Sequence, residues 1–210
     1  MSLRAIARAT GITAPGLYRY FSSRADLVGS VAGDIVAEIL ADVRAATDAA
    51  AGGGVTAAFA AFAAEFRRWS LNHRREFGLL FAAPRNAPAA GHCGPASEWT
   101  GRLAGTLLEL LSQRWVAEPF PVPAEESIAL GLRAQLEHYR DAAAPGLPTG
   151  AVLLFLYCWA RLYEAVSVEV FGHLDWILSD ASPLFDLMLM HVRDVLGAGK
   201  AGPAAIWTGH

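Results

Sequence analysis

Four guanidinium groups, Arg4, Arg8, Arg19 and Arg24, stand in the first 25 residues with no carboxylate among them. The rest of the chain holds all 20 acidic residues, so a protein of net charge −3 has a basic head and an acidic body. A local basic patch suffices for sequence-independent attraction to a nucleic-acid backbone, and the Tyr18 hydroxyl beside Arg19 suits phosphate oxygens as well. Other chemistry is sparse. No zinc spacing, phosphate-binding glycine loop or nucleophile elbow occurs, and no acid, base and nucleophile fall together at local spacing. Cys93 and Cys158 form neither a metal spacing nor a disulfide framework, and His92 beside Cys93 is a faint metal or redox hint. These features argue against an enzyme, and no metal or cofactor is expected.

The elements that must position the arginines are short. Leu3, Ile6 and Ala7 recur at helical spacing, which leaves Arg4 and Arg8 together on another face. Gly11 can adopt the left-handed conformation that ends a helix. A second helix then starts at once: Thr13 is its N-cap, Pro15 lies in its first turn, and Ile12 with Leu17 forms a hydrophobic staple. Leu17 and Phe21 point inward, while Ala14, Pro15, Tyr18 and Arg19 stay outside. That bare, narrow surface is what a recognition helix requires to approach a groove. Ser22 or Ser23 caps the next helix, whose first turn carries Arg24 and free N–H groups that can hold a phosphate.

In these positions, Ile6-Ala7, Gly11-Ile12-Thr13, Gly16-Leu17-Tyr18, Tyr20-Phe21 and Arg24-x-x-Leu27, the chain resembles the helix-turn-helix signature of TetR-type transcriptional repressors. The resemblance implies an all-α protein, with a truncated helix-turn-helix head over residues 1–30 and a helical ligand-binding and dimerisation domain over 31–210. It implies contacts to operator DNA from Arg4, Thr13, Ala14, Pro15, Gly16, Tyr18, Arg19, Tyr20 and Arg24. Such proteins place a further helix of about 20 residues before this motif. Here the chain begins inside it, and the expectation is a natural start upstream; the alternative is an impaired DNA-binding domain. A helical small-molecule-binding protein without DNA function is the competing reading.

Beyond the head, a long helix to about Ala50 carries Leu27, Val31, Ile35, Ile39 and Val43 on its inner side. After Gly52-Gly53-Gly54, one helix from Val55 to Ala82 presents Phe59, Phe62, Phe66, Trp69 and Phe77. Pro84 to Pro95 reads as a loop, Ser97 to Val116 as a helix, and Ala124 to about Ala143 as another with acids in its first turn. Thr149 to about Phe171 and Asp180 to Leu196 close the set. Phe62, Phe66, Trp69, Trp99, Tyr139 and Trp159 are expected to enclose a cavity of several hundred Å³ for a small apolar or aromatic effector, with Arg133, Gln135 and His138 as polar partners. Plain core packing is the alternative for these rings.

The stretch Trp159-Ala160-Arg161-Leu162-Tyr163 through Glu169-x-Phe171-Gly172-His173 resembles the C-terminal domain of one TetR subgroup. That resemblance implies a homodimer through residues 149–171 and 181–196. Trp159, Leu162, Val166 and Val170, with Leu184, Leu187, Met188, Val192 and Val195, make more apolar surface than one partner helix covers. The longest apolar run, Ala151 to Ala160, is half a bilayer span, so no membrane partner and a cytoplasmic location are expected.

Overall fold

The computed structural model describes residues 3–81 and 95–197. Among them are nine α-helices and no strand: α1 (Leu3–Thr10), α2 (Ala14–Tyr20), α3 (Arg24–Ala49), α4 (Gly54–Asn72), α5 (Arg74–Phe81), α6 (Pro95–Ala117), α7 (Leu130–Ala143), α8 (Thr149–Val170) and α9 (Ser182–Gly197). The chain is all-α, as its sequence indicates. The expected loop from Pro84 lies outside the described residues, as do His92 and Cys93, except that Pro95 already belongs to α6.

Local chemistry sets the early helices. Gly11 ends α1 at φ +72°, a conformation costly to any residue with a Cβ. Ser23 caps α3: its Oγ accepts the Asp26 N–H at 3.1 Å, and the Asp26 carboxylate accepts the Ser22 N–H at 2.8 Å and the Ser22 hydroxyl at 2.9 Å. This reciprocal arrangement satisfies donors that the first turn leaves unpaired. Along α3 the buried stripe is Ala32, Val36, Ile39, Leu40, Val43 and Thr47, which shares only Ile39 and Val43 with the expected series spaced by four. Each four-residue step drifts about 40° around an α-helix. A strict series therefore leaves the buried face, and Val31 is exposed.

Two further expectations are corrected. The single helix over 55–82 is two, because His73 leaves helical geometry at φ −124°, ψ 49°. Its Nδ1 lies 3.0 Å from the Trp69 carbonyl, which also accepts the His73 N–H, and its ring stacks on Trp69. The expected helix from Ala124 starts only at Leu130, since Ile128 is extended and Ala129, at φ −54°, ψ 134°, is not helical. Glu125 and Glu126 consequently sit in a separate 3-10 turn.

The core is built on α8, from Thr149 through Val170, against α4, α6, α7 and α9. At its start Gly150 lies so close to the Pro123 carbonyl that a Cβ would fall 2.1 Å from that oxygen. At its end Arg67 of α4 donates to the Glu169 carboxylate from Nε at 2.7 Å and Nη2 at 2.5 Å, and to Ser182 Oγ at 2.8 Å. Arg74 caps the last turn by donating to the Glu169 and Val170 carbonyls. Taken whole, α8 is long and apolar enough to cross a membrane, a property hidden by attention to its longest uninterrupted run; half of its most apolar window is buried inside the protein.

Candidate functional site

The head presents the surface that its residues suggest. Thr13 is the N-cap of α2, its Oγ1 accepting the Gly16 N–H at 3.3 Å, and Pro15 follows in the first turn. Leu17 is buried, which turns Pro15, Tyr18, Arg19 and Tyr20 outward and leaves Ala14 and Gly16 half-buried. Arg4 and Arg24 are exposed on the neighbouring helices. Arg19 lies over the ring of Tyr20, 5.3 Å from its centroid, and donates to its hydroxyl at 3.1 Å. The guanidinium thus partners Tyr20 rather than Tyr18. Of the two staple residues, Leu17 is turned to the interior and Ile12 stays half exposed.

The ligand-site residues expected from the sequence do not form one group. Phe62, Phe66 and Trp69 are fully buried, and Trp159 nearly so. Phe66 packs on Phe77, Phe81 and Trp159 with centroids 6.0–6.2 Å apart, a close aromatic cluster in the core. Trp69 donates to Glu38 at 3.4 Å. Trp99 is half-buried near Gly33, and Arg102 lies over its ring. The polar partners are elsewhere, because α7 packs chiefly on α8 and turns one side outward. Gln135 and His138 are exposed, Gln135 returning a hydrogen bond to the Gly131 carbonyl. Arg133 pairs with Glu137 at 3.7 Å. Tyr139 stacks parallel on Phe155 at the edge of the body, where burial raises its phenol above the usual range.

Of these residues Tyr139 alone lines the cleft of about 490 Å³ that opens between α6 and α7. Leu108, Val116 and Leu147 supply apolar walls, Gly105 and Gly146 leave the hollow, and Glu109 stands in its lining. Sequence reasoning missed these positions. The available signal was the run of small residues Ala143, Ala144 and Gly146 around Pro145, where the chain turns from α7 to α8 without bulk.

The apolar surface of the last helices also differs from expectation. Trp159, Leu162, Val166, Val170, Val192 and Val195 are buried within the subunit. What remains exposed is Leu184, Leu187 and Met190 on α9, Leu156 on α8, and Phe171, Trp176 and Ile177 in the connection. Cys158 is enclosed in the core, where burial pushes its thiol up to about 12, so it is no nucleophile at neutral pH. Among the described residues no group of three or more His, Cys, Asp or Glu could hold a metal ion.

A capped helix-turn-helix head on an all-helical body defines a class of DNA-binding regulators. Residues 1–31 match the family model of bacterial regulatory proteins, tetR family, and residues 59–192 match that of the tetracyclin repressor-like C-terminal domain. The chain belongs to the TetR family and is a transcriptional regulator of that family. It is 26% identical over 191 residues to the HTH-type transcriptional regulators Mb1846 of Mycobacterium bovis and Rv1816 of Mycobacterium tuberculosis, covering 89% of this chain and 79% of each relative. The crystal structure of the regulatory protein SCO4313 is similar with a TM-score of 0.67 and 26% identity, over 91% of this chain and 84% of that one. A protein of unknown function from Rhodococcus sp. RHA1 shares the fold at a TM-score of 0.60 and 19% identity, over the same shares of each chain.

Proposed function

We propose that this regulator is a dimeric repressor that binds operator DNA through α2 and is released by a small molecule bound in its body. The observation that carries this reading is the capped α2, whose outer surface combines Pro15 with Tyr18, Arg19 and Tyr20, flanked by Arg4 and Arg24. Small residues let the helix approach a groove, and the guanidinium groups meet phosphates or base edges. Thr13, Ala14 and Gly16 form the close-contact edge. A dimer places two such heads in successive major grooves, about 34 Å apart along the duplex. An effector that favours another head spacing then lowers operator affinity by population shift. Such a protein works in the cytoplasm, where the DNA is.

The second subunit is proposed to cover Leu184, Leu187 and Met190 of α9 with Leu156 of α8, within the expected ranges 149–171 and 181–196. For the effector, the packed aromatic core favours the α6–α7 cleft, lined by Tyr139, over the interior. The test is a salt titration of DNA binding. Arg19→Ala should weaken binding to all sequences and reduce the log–log salt slope by about one. Arg4→Ala should also blur sequence preference if it reads a base. Equal affinity and slope for wild type and Arg19→Ala would refute the DNA-facing assignment of α2.

A further inference from the structure

We infer that the α6–α7 cleft takes a small organic cation with an apolar or aromatic body, and that this ligand competes with Arg44 for Glu109. The cleft, about 490 Å³, has the size of a small-molecule site. Leu108, Val116 and Leu147 would cover the apolar body, and the face of Tyr139 attracts a cation. Among the described residues lining it, Glu109 is the one that carries charge at neutral pH; no lysine, arginine or histidine joins it. Ser112 also lines the cleft, and because its hydroxyl donates to the Leu108 carbonyl at 2.8 Å, its oxygen is left to a ligand as an acceptor only. A lining with one carboxylate and spare acceptors favours an ammonium over a carboxylate of similar shape.

Glu109 has a partner already. Arg44 Nη2 lies 3.7 Å from its Oε2, and both side chains are more than half exposed. A pair so long and so solvated is weak, and an ammonium at the cleft mouth can take its place. Arg44 belongs to α3, the helix that begins at the head. The cleft is thereby connected to the DNA-binding end through one exchangeable ion pair. Describing the cation as the effector rests on the regulator reading; its binding to the cleft does not.

Calorimetric titration without DNA tests the site with three probes of similar shape: 2-phenylethylammonium, 2-phenylethanol and phenylacetate. The cation should bind about five-fold tighter than the alcohol, the scale of an exposed ion pair, and phenylacetate no tighter than the alcohol. Glu109→Gln should abolish the preference while leaving alcohol binding in place, and Arg44→Gln should tighten cation binding. Gly105→Leu should abolish binding of all three. A Cβ at Gly105 meets nothing within 4 Å, and leucine has the higher helix propensity, so this variant should fold and fill the cleft. No binding by wild type up to about 10 mM, equal affinities for the three probes, or unchanged binding in Gly105→Leu would overturn the proposal. An unchanged cation affinity in Arg44→Gln would overturn the competition. Failure of the wild type to bind DNA would instead remove the regulator reading and leave these titrations intact.

Discussion

Arg67 and Glu169, 102 residues apart in sequence, join α4 to α8, with both side chains largely shielded from water. The guanidinium is held by two nitrogens on one carboxylate, donates to Ser182, and covers the ring of Phe185 at 4.9 Å. The Glu169 contact raises the Arg67 pKa above the ordinary arginine range, so the cation persists at any working pH. Arg67→Met should cost about 2 kcal/mol, chiefly because Glu169 is left charged and poorly hydrated. Arg67→Met with Glu169→Gln should recover part of it, and chemical denaturation of the three proteins measures both. A single variant as stable as wild type would show that solvent replaces the guanidinium. Contacts of this kind leave no trace in local spacing. Thr13 and Ser23 were legible because a cap and the N–H that donates to it are three residues apart, whereas nothing in the residues around Arg67 or Glu169 points from one to the other.

Among the elements, α3 illustrates what local signals do and do not determine. Its start is fixed by Ser22, Ser23 and Asp26, yet its buried face is selected by α4 and α6 packing against it. The ends of α3 are therefore legible in its sequence, whereas Val31, expected on the inner side, is exposed. The breaks before α5 and α7 escaped for a related reason: His73, Ile128 and Ala129 carry no glycine or proline signal of their own. Ser23→Ala should remove about 1 kcal/mol from the first turn of α3, read as roughly five-fold faster amide exchange at Asp26 with little change in global unfolding. Unchanged exchange would mean that the cap is redundant. The Ser22 backbone and hydroxyl hold the Asp26 carboxyl below the usual range, with a small opposing contribution from burial. Its support for the turn is thus complete above the unfolded carboxyl range and fades as pH falls through the lowered folded value. Exchange at this turn should accelerate in acid before the body unfolds.

For the whole molecule, the sequence made the class of protein legible and left the binding surfaces of the body obscure. Head residues act where they stand on two short helices, so their types and spacing suffice. The cleft, by contrast, is made by Gly105 and Val116 of α6 facing Tyr139, Gly146 and Leu147, an encounter set by how α6 and α7 settle around α8. Leu187 tests the proposed assembly. It is 60% exposed, so Leu187→Glu should leave the subunit folded while shifting sedimentation at micromolar concentration toward the monomer and lowering operator affinity. An unshifted dimer would place the two-fold axis on other helices. One feature of α3 gives such an assembly its mechanics. None of its residues before Ala32 is buried, and Gly29 and Gly33 bracket the point where burial begins. The eight residues from Arg24 to Val31 make a cantilever of about 12 Å, clamped at one end by the body and loaded at the other by the head. Stiffening its root, as Gly29→Ala would, should narrow the range of head spacings the dimer samples and leave the clamp itself untouched.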